Sequence, residues 1–185
     1  MLSESAKILL TGLPRAGKTT AVMQIIKNIN CPKVAGFYTQ EIRQGGIRKG
    51  FCWRRLNGTT GTLAHIDIKG HFRVGKYGVD VAGFEKSVVP ILDAEDSDTK
   101  LFVIDEIGKM ECFSEKFVIA IRRLFKSNKS ILATVALKGS GLISEVKNYP
   151  GTKLFNLTRQ NRDKTIVEIM QVLSFQKNSG EVENE

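Results

Sequence analysis

Residues 11–20 read TGLPRAGKTT, and Gly12, Gly17, Lys18 and Thr19 within them match the spacing G-x-x-x-x-G-K-[ST]. The residue types follow from the chemistry of holding a polyphosphate. Glycines let backbone N–H groups turn inward around a phosphate, where any Cβ would collide. A helix opening near Lys18 adds the positive end of its dipole. Lys18 brings a compact, mobile charge to the β and γ oxygens, and the Thr19 hydroxyl is a ligand for Mg2+. A chance match is about a 1% event in a chain of this length, and the context lowers it further. KILLT (7–11) is a short apolar run ending at a glycine, the mark of a buried strand. Beyond the loop, Val22, Ile25, Ile26 and Ile29 recur at i, i+3, i+4 and i+7, one apolar helical face that stops at Asn30-Cys31-Pro32. KVAGFYT (33–39) is the next strand. Strand, glycine loop, helix and strand make a βαβ unit, which crosses over right-handed into a parallel sheet.

Outward from that unit the pattern changes twice. Residues 41–67 alternate rather than follow a 3.6 period, with turn signals at Gly45-Gly46 and Asn57-Gly58, so antiparallel hairpins are expected there and a further strand near 77–81. FEKSVVPILD (84–93) has helical spacing with Pro90 at a kink or an end. LFVIDE (101–106) is a buried strand closed by two acids. An amphipathic helix follows with Phe117, Val118, Ile121, Leu124 and Phe125 on one face. SILATVA is a strand, 142–147 a short helix and KLFNL a last strand. A final helix places Ile166, Val167, Met170 and Leu173 inward. Strands alternating with helices at both ends define an α/β fold: three layers, a mostly parallel central sheet flanked by helices, and an antiparallel hairpin insertion at about 41–82. Residues 1–175 are read as one domain and 176–185 as a polar, frayed tail.

The totals bound the rest. With 185 residues, 42% hydrophobic and 25% charged, the chain suits a soluble globular domain. It shows neither a signal-peptide pattern nor eighteen consecutive apolar residues, so a cytoplasmic protein without a membrane partner is expected. Cys31, Cys52 and Cys112 are widely spaced and lack a CxxC, which argues for reduced thiols. His65 and His71 have no ligand partner at metal spacing. The net charge is +9, and the tail at 176–185 (one Lys, three Glu) makes the body more basic still. Such an excess attracts nucleotides and nucleic acid alike, but no basic block or aromatic platform singles out nucleic acid.

Reaction chemistry enters with the acidic pair. Four apolar residues place Asp105 at the C-terminal end of a buried strand, the edge where ligands collect in open α/β sheets. There it can hold Mg2+ beside Thr19. A second carboxylate next to a triphosphate does not help binding, so Glu106 needs another reason: orienting and deprotonating an attacking water. The plainer alternative pairs Glu106 with Lys109 or uses it to cap a turn.

With both motifs in place the chain resembles the nucleoside-triphosphatase family of the human cancer-related nucleoside triphosphatase and its thermostable bacterial relatives. The likeness runs from Ile8 to about Met170 and is carried by GFYTQEIRQGGIRKGF, VGKYGVDV, FEKSVVPIL, DEIGKMECFSEKF and FNLTRQNRD. It implies a RecA-like P-loop core with Walker A and Walker B segments. It also implies slow, Mg2+-dependent hydrolysis of the β–γ bond of ATP, GTP, CTP and UTP with broad base specificity. Matched by position, the nucleotide is contacted by Gly12, Leu13, Pro14, Arg15, Ala16, Gly17, Lys18, Thr19 and Thr20, and by the segment around 101–108 with Asp105, Glu106, Ile107 and Gly108. Arg15 departs from the family's glycine and Ala16 from a common valine; Arg15 is expected to face solvent or to add modestly to the field.

Transfer of a γ-phosphoryl group gains from a cation against its developing charge. Thr158 reads as the cap of the last helix, which puts Arg162 in its first turn, where a positive side chain opposes the dipole. With Asn161 it is a candidate ligand-contacting residue, and with Lys18 and Glu106 a candidate catalytic one; the alternative for Arg162 is an ion pair with Asp163. Arg43 and Arg48 flank the Gly45-Gly46 turn, either as a cover over the nucleotide or as a solvated hairpin. Thr134 ends a buried strand where a hydroxyl could sense the γ-phosphate, and Phe37 and Tyr38 read as core. The leading expectation is a monomeric nucleoside triphosphatase. A small-molecule or nucleotide kinase is the second reading, and a nucleotide-dependent, nucleic-acid-binding switch the third.

Overall fold

The computed structural model describes residues 5–31, 33–93 and 98–173; the tail at 176–185 lies outside them. Among the described residues nine strands form one sheet. They are β1 (Lys7–Thr11), β2 (Val34–Gln44), β3 (Ile47–Arg55), β4 (Thr60–His65), β5 (Arg73–Val74), β6 (Tyr77–Val79), β7 (Leu101–Ile107), β8 (Ser130–Val135) and β9 (Thr152–Asn156). The helices are α1 (Lys18–Asn28), α2 (Val81–Val88), α3 (Glu115–Lys126), α4 (Leu142–Lys147) and α5 (Arg162–Val172).

The order β5-β6-β4-β3-β2-β7-β8-β1-β9 explains how the two motifs meet. β2, β7, β8, β1 and β9 run parallel, and β8 sits between β1, which feeds the phosphate loop, and β7, which carries the acids. The hairpin insertion extends this same sheet rather than folding on its own. β2 is one long strand whose first half pairs with β7 in parallel and which pairs with β3 antiparallel from Phe37 onward. The helix expected over 84–93 begins earlier, at Val81, with the Asp80 side chain accepting from Gly83 N–H, and passes into a 3-10 turn over Val89–Leu92 that carries Pro90 in its first turn.

Period-two alternation builds a core on each face. Leu9, Phe37, Phe102, Ile104, Ile131 and Ala133 point to one side, under α2, α3 and α4. Ile8, Leu10, Leu101, Val103 and Leu132 point to the other, under α1 and α5. α3 shows why these residues make a helix. Its apolar face buries Phe117, Ile121, Leu124 and Phe125, and Ser114 Oγ caps it by accepting from Phe117 N–H at 2.9 Å, a cap worth about 1 kcal/mol. Lys7, almost fully buried, closes its other end by donating to the carbonyls of Leu124 (3.1 Å), Ser127 (2.9 Å) and Lys129. Burial pulls its pKa down to about 8.

The last helix departs from the periodic reading. Thr165, Ile166, Ile169 and Leu173 face inward, whereas Val167 is 55% exposed and Met170 only half-buried. Thr165 takes the place that apolarity alone assigned to Val167. The cap differs too. Asn161, not Thr158, is the N-cap, and the two form a reciprocal pair: Thr158 N–H donates to Asn161 Oδ1 (2.8 Å) and Asn161 N–H to Thr158 Oγ1 (3.2 Å). Arg162 keeps its place in the first turn.

Candidate nucleotide site

The phosphate loop is seated by two close approaches. Gly12, at φ +150°, abuts Leu157, whose carbonyl oxygen would lie 2.4 Å from any Cβ added there. Leu157 N–H in turn donates to Thr11 O at 2.7 Å. The turn after β9 is therefore locked against the start of the loop. Asn161 tightens that turn by donating Nδ2 to Asn156 O at 2.9 Å. Both side-chain ends of Asn161 are engaged in the corner, so it acts here as a clamp on the position of Arg162. Gly17, at φ +94°, caps α1 and lies under Arg162, whose Cδ is 3.4 Å from a built Cβ. Arg162 Nε also donates to Asp163 Oδ1 at 3.2 Å, so the ion pair and the loop contact coexist.

Within the loop, Leu13, Pro14 and Arg15 are exposed, Ala16 is buried, and Lys18 Nζ folds back to the carbonyls of Gly12 (3.2 Å) and Leu13 (3.5 Å). Arg15 sits at φ +64° and makes no hydrogen bond or ion pair among the described residues. That backbone region favours glycine, which gives the departure at Arg15 a physical meaning. Thr20 is exposed on the first turn of α1.

Asp105 is 2% exposed at the end of β7. Thr134, fully buried on β8, donates its hydroxyl to Asp105 Oδ1, while Oδ2 is buried without a hydrogen-bond partner. Burial raises the carboxyl's pKa; the hydroxyls of Thr134 and Thr19 and the charge of Lys18 pull the other way. Thr19 is thus close enough to favour the charged form although it makes no well-formed bond to Oδ2. Thr134 supports the acid rather than standing free.

Glu106 follows through a cis peptide and makes no ion pair or hydrogen bond among the described residues; Lys109 is exposed and does not pair with it. Burial raises its pKa, Lys18 lowers it and Asp105 raises it. Buried Gly108 shows what lies beside it. A Cβ there would stand 2.9 Å from Glu111 Oε2 and 3.5 Å from Glu106 Cδ, so two carboxyl groups converge at that glycine. Glu111 carried no role in the motif reading, although an acid among Met110, Cys112 and Phe113 is a signal of enforced burial. Burial first, then Glu106 and Asp105, push its pKa up to about 8. Ile107 is core.

Other candidates fall elsewhere. Arg43 and Arg48 both pair with Glu41, at 2.8 and 2.7 Å, and Arg48 lies over the rings of Phe51 and Tyr77. They brace the hairpin. Phe37 is core, but Tyr38 is half-buried and lines a cavity next to Thr19. A surface cavity of about 1020 Å³ lies between α2 and α3 and contains none of the motif residues.

Glycine loop, buried acid and parallel strand order together define a P-loop nucleotide-binding protein of the RecA-like kind. The chain belongs to the NTPase family, whose sequence pattern matches residues 7–170. It is 40% identical over 173 residues to the nucleoside-triphosphatase THEP1 of Thermotoga petrophila, covering 92% of this chain and 94% of that one. It is 38% identical over 179 residues to the human cancer-related nucleoside-triphosphatase, covering 88% and 94%. The fold matches the crystal structure of THEP1 from Aquifex aeolicus with a TM-score of 0.82, at 33% identity over 91% of this chain and 99% of that one. It also matches the solution structure of the human protein with a TM-score of 0.78, at 37% identity over 94% and 100%.

Proposed function

We propose that this protein is a nucleoside triphosphatase that hydrolyses the β–γ bond of ATP, GTP, CTP and UTP to the diphosphate and phosphate, with Mg2+. The observation that carries the reading is Glu106: an unpaired, half-buried carboxylate directly after the buried Asp105. Burial raises its pKa, which makes the carboxylate a stronger base toward water. The names of the relatives point to the same activity.

The donor set suits Mg2+. The orphaned Oδ2 of Asp105 and the Thr19 hydroxyl are hard oxygen donors. When bound, the ion would neutralise charge on the β and γ oxygens. Lys18 swings from its carbonyl partners to the phosphates. Gly12, Gly17 and the backbone between them cradle the β-phosphate, and Arg162, lying over Gly17, reaches charge that develops in transfer. Thr134 fixes the Asp105 rotamer, and Glu106 holds the attacking water. The residues of the site offer no base-specific pattern against the loop, which favours broad base specificity.

The test is phosphate release by purified protein with Mg2+ and each of the four triphosphates, with no acceptor present. Release without an acceptor supports the hydrolase. Release or transfer only on adding an acceptor would make it a kinase, and tight binding with no turnover at all a switch. The basic surface keeps nucleic acid as the partner in that last case. A monomer in the cytoplasm fits the same reading.

A further inference from the structure

A second cavity, about 400 Å³, opens on the metal side of the phosphate loop between α1 and β2. Its size falls within the roughly 300–1,000 Å³ of small-ligand pockets. Thr19 and Thr20 stand at its mouth; Gln24 and Lys27 from α1 and Tyr38 and Gln40 from β2 line its walls. Its place follows from the topology. α1 and α5 cover β1, β7 and β8 on this face, while the extension of the sheet beyond Tyr38 carries no helix there, and Gln40, Thr60 and Thr62 are exposed.

The lining has a definite chemical character. No acid lines the cavity, so Lys27 is an uncompensated cation; it makes no ion pair among the described residues. Tyr38 brings a half-buried ring whose hydroxyl has no partner there. Gln24 and Gln40 each present a donor and an acceptor, able to read the edge of a planar heterocycle. Directly across from Tyr38 on β3 stands Arg54, on the same face of the sheet. Its Nε is buried with no hydrogen-bond partner, and the side chain forms no ion pair among the described residues. Arg54 does not line the cavity, so its charge acts on an occupant through the local field rather than by contact. The same row continues from Tyr38 to Asp105 on β7, so an occupant would lie beside the metal side of the loop.

We propose that this cavity is a second ligand site that takes a nucleoside monophosphate, its phosphate toward Lys27 and its base against Tyr38 between Gln24 and Gln40. The site rests on the reading of the phosphate loop as the triphosphate site for its position and for the Thr19 and Thr20 edge it shares with the loop, while Gln24, Lys27, Tyr38 and Gln40 belong to the cavity alone.

The test titrates AMP, GMP, CMP and UMP by calorimetry into free protein and into protein saturated with Mg2+ and a non-hydrolysable triphosphate. Binding of the triphosphate analogue is recorded first, so a failure of the loop reading shows there, and the free protein still tests the cavity. The expected result is one monophosphate per chain in both states, weakened at least about tenfold by Lys27→Ala and by Gln40→Ala, both at exposed positions. The parent nucleosides and inorganic phosphate should each bind at least about tenfold more weakly than the monophosphate. Absence of binding at millimolar concentration, displacement of the monophosphate by the triphosphate analogue, equal binding of bare phosphate, or unchanged affinity in both variants would each overturn the proposal.

Discussion

The side chain of Arg162 lies against Gly17: a Cβ built on that glycine would meet Arg162 Cδ at 3.4 Å and Nη1 at 3.6 Å. The contact joins residues 145 positions apart through a chain of local causes. β9 pairs with β1, Leu157 packs on Gly12, and Asn161 clamps the turn that presents Arg162. A cation held there sits at the edge of the phosphate cradle without spending its charge on a buried partner. Asp163, its one ion-pair partner among the described residues, is highly exposed, and such pairs are worth about 0–1 kcal/mol. Arg162→Ala is therefore expected to lower kcat at least about tenfold, and Asp163→Ala to leave turnover within about twofold. Steady-state phosphate release for both variants checks this. Equal effects of the two substitutions would mean that Arg162 serves only its ion pair.

Glu106→Gln keeps shape and removes the base. The variant should still bind the Mg2+ nucleotide with nearly unchanged affinity while hydrolysing at least about a hundredfold more slowly. Calorimetry and single-turnover hydrolysis separate the two. Turnover near wild type would remove Glu106 from the role of base.

How far these residues were readable in the chain depends on how local their causes are. The loop, β1, α1 and the Asp105–Glu106 pair follow from short-range requirements: glycines where backbone must close on phosphate, and apolar runs that end in acid. The strand order could not be read that way, because β8 enters between β1 and β7 through pairings far apart in sequence. Tyr38 looked like core because alternation counts a half-buried ring as buried; only the missing helix over the extended sheet shows its other side. Glu111 was hidden for a related reason. Its burial comes from the turn at Gly108, which no periodicity announces.

Glu111 gives stability a pH dependence whose sign follows from its environment. Its pKa rises from the ordinary 4.5 to about 8 in the folded protein. The folded state therefore holds a proton that the unfolded state loses, and stability falls as pH rises from about 4.5 to about 8 and then levels. Asp105 and Glu106, also raised, act in the same direction. Glu111→Gln should flatten the profile by an amount on the order of a few kcal/mol across that window. Denaturant unfolding at pH 5, 6, 7, 8 and 9 measures it. Parallel profiles for the two proteins would show that Glu111 is ionised in the fold throughout.

Arg15→Gly tests the loop's outer turn. An arginine at φ +64° carries backbone strain of about 1–2 kcal/mol, and glycine there loses about 0.5–1 kcal/mol through unfolded-chain entropy. The net expectation is a stability gain of a few tenths to about 1 kcal/mol, with nucleotide affinity and kcat within about twofold of the parent. Thermal unfolding and phosphate release check the two halves. A large loss of affinity would instead make the exposed guanidinium a phosphate ligand.

Thr134 is the sole hydrogen-bond donor that the described structure gives the Asp105 carboxylate, and both residues are buried. Thr134→Val keeps the shape of the side chain and takes the hydroxyl away. Both carboxylate oxygens are then left without a partner, which should destabilise the fold by about 1–3 kcal/mol. Losing that hydrogen bond also removes the largest influence holding the Asp105 pKa down, so the acid becomes harder to ionise. Two results follow together. The variant should melt earlier than the parent, and it should need more Mg2+ to reach half-maximal turnover, because a carboxyl that is harder to ionise is a poorer oxygen ligand for the ion. Raising the pH should narrow the gap in Mg2+ requirement, since ionisation of Asp105 then comes more readily. Thr134→Ser, which restores the donor, should recover both properties. A variant that loses stability while its Mg2+ requirement stays at the parent value would confine Thr134 to packing and leave Asp105 oriented by β7 alone.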